Sequence, residues 1–155
     1  MFYAVLKTVH LLAIILWIGG MMFTSWFLRP AVLQLEAEVR LKFMQNVLDR
    51  FFKAVFAASL LVLVTGVWMI GRVAKQVSQA GGSFEMPLSW TIMAVLGVLM
   101  VAIFMHIRFA LYKRLRDAVQ FATWDKAASA LASIRLWVSV NLALGILIVV
   151  TTLVL

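Results

Sequence analysis

Two histidines stand inside otherwise apolar stretches, His10 in "KTVHLLAIILWIGG" and His106 in "FMHIRFALYKR". In lipid an imidazole is a costly side chain and a ready ligand, since neutral imidazole binds haem iron and copper. His10 falls on one helical stripe with Lys7, Ile14, Trp17 and Met21, and His106 on another with Ala102, Ile103, Phe109, Ala110 and Lys113. Asn141, with Trp137, Gly145 and Ile148 on its side, interrupts a further long apolar run. All three are expected to point into a helix bundle, because a polar group facing lipid tails has no partner.

The elements that carry them follow from hydropathy and charge. Of the 155 residues 65% are hydrophobic and 13% charged, too apolar for a soluble globule. Uncharged segments run over 8–28, 54–71, 86–107 and 136–155. Each approximates the ~20 residues that span a bilayer core as a helix. The expected fold is therefore an all-α integral membrane protein, a four-transmembrane-helix bundle forming a single membrane domain over 1–155. Its helices are expected at about 2–28, 52–72, 87–112 and 134–155. Open strands are excluded because lipid cannot satisfy their backbone groups. The first segment reads as a helix, not a signal peptide, because only Lys7 precedes it and no small-residue cleavage site follows.

Of the 14 lysines and arginines, eleven fall in the connections at 29–53 and 108–135, against Arg72 and Lys75 in the middle connection and Lys7 at the start. By the positive-inside rule, connections 29–51 and 113–133 are expected to be cytoplasmic, and connection 73–86 and both termini periplasmic. The net charge of +8 is thus an insertion signal that also attracts anionic head groups. No nucleic-acid recognition module accompanies it. The stretch "RLKFMQNVLDRFFK" reads as an amphipathic helix with Leu41, Met44, Val47, Leu48 and Phe51 on its apolar side. With no cysteine, disulfides and thiolate metal sites are excluded.

A haem clamped between His10 and His106 conflicts with depth. The first and third helices both run inward, and the two histidines lie roughly 17 to 25 Å apart along the membrane normal at ~1.5 Å per residue. Three arrangements remain open. Two separate sites would each be completed by another donor, and Met21 and Met22 lie near the depth of His106. A parallel homodimer would pair His10 with its symmetry mate. A centre with one protein ligand would keep a position for a quinone or small oxidant. The structural alternatives are a snorkelling Lys7, Asn141 as interhelical glue, and Gly19, Gly20, Gly66, Gly71, Gly97 and Gly145 as points of close helix approach.

The segments "HLLAIILWIGGMMFTSWFLRPAV", "RFFKAVFAASLLVLVTGVWMIG", "FMHIRFALYKRLRDAV" and "WDKAASALASIRLWVSVNLALGILIVV" resemble the bacterial copper-resistance protein D domains. The most specific positions are His10, Trp17, Gly19, Gly20, Leu28, Arg29, Pro30 and Ala31. More distantly the chain is similar to the bacterial membrane-bound, haem-containing protoporphyrinogen oxidases, which carry histidines at positions like His10 and His106. The first resemblance implies an inner-membrane protein of copper uptake or tolerance; the second implies haem b. The oxidases have a lysine early in the third helix, where this chain has "PLSWTIMAV", which argues against porphyrinogen oxidation. The combined expectation is a multi-pass protein of the bacterial inner membrane. It would bind haem b through His10, His106 or both at separate sites, with Trp17, Met21, Met22, Arg29 and Asn141 as further cofactor-binding residues, and exchange electrons with quinone or a small oxidant. The alternatives are a copper permease component and a non-catalytic subunit of a membrane complex.

Overall fold

The computed structural model describes residues 1–154. Four helices long and apolar enough to cross a membrane account for nearly all of it: α1 (Phe2–Val32), α2 (Ala37–Gln79), α3 (Leu88–Gln120) and α4 (Trp124–Val154). Among the described residues there is no strand. The chain is a multi-pass helical membrane protein.

The helices outrun the uncharged segments, and furthest at the basic end. At ~1.5 Å per residue, the 43 residues of α2 extend about 65 Å, twice a ~30 Å hydrocarbon core. Most of the excess lies at the basic end, where the start of α2, the end of α3 and the start of α4 pack on one another. There the apolar stripe is buried: Leu41, Met44 and Leu48 from α2, Leu111 and Leu115 from α3, and Ala127, Leu131 and Ile134 from α4. Val47 and Phe51 are only half-buried. Water, which drives apolar burial, surrounds this end, whereas lipid offers no such force between apolar helices.

The opposite end is more open. No residue of α3 before Met100 is buried, and no residue of α4 beyond Gly145. The bundle is two antiparallel hairpins, α1 on α2 and α3 on α4. They are joined by an aromatic chain in which Trp17 and Phe104 lie 5.9 Å apart, Phe104 and Phe52 6.0 Å, and Phe52 and Tyr112 5.5 Å, all edge-on. The Tyr112 hydroxyl ends the chain by donating to Asp49 at 3.1 Å.

The turns have local causes. Gly81, at φ 79°, closes α2 in the left-handed region, and the Gly82 N–H bonds Val77 O at 3.0 Å. Ala122 closes α3 at φ 52°, a conformation that strains a residue with a Cβ. Pro87 caps α3, its carbonyl accepting from the Thr91 N–H at 3.0 Å. Two single π turns interrupt otherwise α-helical runs, Thr24–Leu28 in α1 and Ile107–Leu111 in α3. The first precedes Pro30, which lacks an N–H and would clash with the carbonyl four residues back in a regular helix.

Of the six intramembrane glycines, three permit close approach. A Cβ at Gly20 would strike the Phe51 ring, one at Gly66 would sit 3.4 Å from the His10 ring, and one at Gly145 would be 3.1 Å from Ile18 and 3.2 Å from Met100. Gly19, Gly71 and Gly97 have nothing within 4 Å.

Candidate functional site

His10 is 7% exposed and faces α2. Its Nδ1 lies 2.8 Å from the hydroxyl of Thr65, itself 5% exposed. Thr65 directs its hydroxyl at the Leu61 carbonyl one turn back. A hydroxyl has one proton, so with that proton on Leu61 O the oxygen accepts from His10, and Nδ1 is the donor. The imidazole is thereby assigned as the Nδ1–H tautomer, with its lone pair on Nε2. Nε2 is buried and has no hydrogen-bond partner. A basic nitrogen enclosed without a donor, its ring fixed from behind by a hydroxyl, is the arrangement of a metal-ligating histidine and its supporting residue.

Gly66 of α2 lies beside the imidazole, and Met69 follows it on the same helix. The absence of a side chain at Gly66 lets the imidazole lie against the helix. Met69, one turn beyond Thr65 on the same face, is buried and offers a thioether. Among the described residues no group of three His, Cys, Asp or Glu side chains converges. Any ion here therefore depends on few donors, with sulfur or an exogenous ligand beside the imidazole.

His106 departs from the expectation that it points inward. It is exposed on the bundle surface, its ring edge-on to the half-exposed Trp137 at 5.5 Å. Ala102 and Phe109 of its stripe are exposed with it while Ile103 is buried, and an amphipathicity argument does not distinguish a lipid-facing apolar side chain from one in a protein core. The depth argument stands in three dimensions. Trp17 packs on Phe104, and Ile18 meets Met100 at Gly145, so His106 is level with residues 19 to 24 of α1. That is about 14 to 21 Å from His10 along the axis at ~1.5 Å per residue. Within one chain the two imidazoles do not share an iron.

The remaining sequence-derived residues separate into two groups. Trp17, Met21 and Asn141 are buried near the junction of the hairpins, while Met22 is half-buried and Arg29 exposed at the basic end. Asn141 is 1% exposed, yet its Oδ1 has no donor, so interhelical hydrogen bonding through that atom is not what holds it. Lys7 is exposed. The residue that sequence reasoning passed over is Thr65, whose signal was a hydroxyl beside a glycine inside the apolar run "SLLVLVTGVWMIG".

The fold and this site together define a four-helix membrane protein with a buried imidazole between its first two helices, held through Nδ1 and unpartnered at Nε2. The family model of copper resistance protein D matches residues 45–155, and the chain belongs to that family. The matched part contains Thr65, Gly66, Met69, His106 and Asn141, and His10 precedes it. No curated protein and no solved structure matches the chain.

Proposed function

We propose that this protein is a copper-handling component of the bacterial cytoplasmic membrane and that His10 Nε2 is its copper-binding donor. The observation that supports it most is the sealed, unpartnered Nε2 of an imidazole oriented by Thr65. Membership of a copper-resistance family supplies the choice of metal. A lone imidazole nitrogen, with the Met69 thioether one turn beyond Thr65 on the same helix, suits Cu(I), a soft ion content with few ligands, better than ions requiring a cage of carboxylates. In this reading Thr65 holds the ring in place and keeps the lone pair on Nε2, and Gly66 gives the ring its seat. Basic residues in connections 29–51 and 113–133 would hold that end in the cytoplasm, and the His10 half of the bundle would then lie toward the periplasm.

The test is anaerobic titration of the detergent-purified protein with Cu(I) against a competing chelator, with absorption spectra on the same sample. Stoichiometric copper that is lost in His10→Ala and kept in His106→Ala is the expected result. A Soret band that depends on His10 would replace the ion by haem b on the same nitrogen and bring electron exchange with quinone or a small oxidant back into play. A protein that takes neither metal would be a structural subunit of a larger membrane complex.

A further inference from the structure

Arg29, Arg40 and Arg135 come from three different helices and converge where the uncharged segments end. Starting from the meeting of Ile18 with the Gly145 position, Arg29 lies eleven residues along α1 toward the basic end. Arg135 lies ten residues back along α4 in the same direction. Antiparallel helices advance equally per residue, so the two arginines reach the same level. Arg40, in the first turn of α2 just after the short 33–36 connection, joins them, and both it and Arg29 are near enough to repel the Arg135 charge.

Among the described residues no acid forms an ion pair with the trio. The described ion pairs are Lys42–Glu38, Lys53–Asp49 and Arg116–Asp117. Glu38 is engaged by Lys42 at 2.6 Å, and Glu36, at the N-cap of α2, forms no ion pair. Arg135 is half-buried, and its Nε is sealed from solvent without a hydrogen-bond acceptor. A buried guanidinium N–H without an acceptor is costly, and neighbouring like charges add to that cost. An oxyanion with several acceptor oxygens relieves both, since guanidinium groups bind phosphate through paired, charge-assisted hydrogen bonds. The level is that of the head groups: residues 8–28 and 136–155 are uncharged, so Arg29 and Arg135 are the first charges met on leaving the apolar core.

We propose that Arg29, Arg40 and Arg135 form a binding site for a phosphate group at the basic membrane surface. It is independent of the copper reading, because it lies at the end of the bundle remote from His10. The experiment is thermal unfolding of the full-length protein in neutral detergent, titrated separately with phosphatidylglycerol, phosphatidylcholine and inorganic phosphate. Phosphatidylglycerol is expected to stabilise saturably and phosphatidylcholine not. Arg29→Gln and Arg135→Gln are each expected to raise the half-saturating concentration about tenfold, as for loss of a charge-assisted hydrogen bond. Lys113→Gln removes the same charge from the same end and is expected to leave it unchanged. Inorganic phosphate reproducing the shift would make the ligand a free anion; its failure beside effective phosphatidylglycerol would make it a lipid. Absence of saturable stabilisation by phosphatidylglycerol and by inorganic phosphate, equal stabilisation by phosphatidylcholine, or equal weakening by Lys113→Gln, would overturn the site. Arg29 is exposed, so its variant carries the test should Arg135→Gln fold poorly.

Discussion

The Nδ1 of His10 and the hydroxyl of Thr65 meet at 2.8 Å across the α1–α2 interface, 55 residues apart in sequence. The hydroxyl's own proton is committed to Leu61 O, so the bond fixes both the tautomer and the orientation of the ring. This pair turns a histidine within an apolar helix into a preoriented donor.

Replacing Thr65 by valine keeps the shape and removes the acceptor. Thr65→Val is expected to weaken Cu(I) binding by about 10- to 100-fold, the usual effect of losing a residue that supports a metal ligand. Chelator competition measures it. Affinity equal to wild type would mean that the hydroxyl does not orient a ligand.

Asn141 gives a prediction of opposite sign. Its Oδ1 is sealed without a donor, so Asn141→Leu, which keeps the branched side-chain skeleton and removes the polar atoms, is expected to stabilise the bundle by about 1 kcal/mol. Denaturant unfolding in detergent reads the change. Destabilisation would show that the amide makes a bond worth more than its burial penalty.

Neighbouring glycines should behave differently. Gly20→Ala forces a Cβ against the Phe51 ring and is expected to cost about 1 to 3 kcal/mol, whereas Gly19→Ala, with open space around it, is expected to cost nothing. Equal effects would place the contact between α1 and α2 elsewhere.

The turn between α3 and α4 carries a strained residue. Ala122 has φ 52°, so Ala122→Gly is expected to raise stability by about 1 kcal/mol despite the entropy of an added glycine. A lowered unfolding midpoint would contradict that backbone conformation.

The four helices were legible because an uncharged run of membrane-spanning length admits little else. Their extension beyond the apolar core was legible in part, since Leu41, Met44 and Leu48 keep helical spacing among charged residues and bury that stripe. The site was half legible. His10 stood out as an imidazole in an apolar helix, while Thr65 did not, because a threonine in a helix bonds its own backbone and its presence there needs no partner. His106 was misplaced for a related reason: the residues that cover it in sequence are as apolar facing lipid as facing protein. The arginine trio was invisible, because its members are separated by up to 106 positions, from Arg29 to Arg135, and only the antiparallel packing of α1 on α4 makes them neighbours.

The π turns at Thr24–Leu28 and Ile107–Leu111 act as phase adjusters. Each wraps more chain into a turn than the 3.6 residues of a regular helix, so the residues beyond it are rotated relative to an unbroken helix. One turn lies just before Arg29 and Pro30, the other just after His106, each at the join between a lipid-facing span and the water-facing end. The azimuth of the basic end is therefore set separately from that of the span to which it is attached. The two halves of α1 and α3 face different solvents, and each can present the side its own surroundings require without a break in the helix.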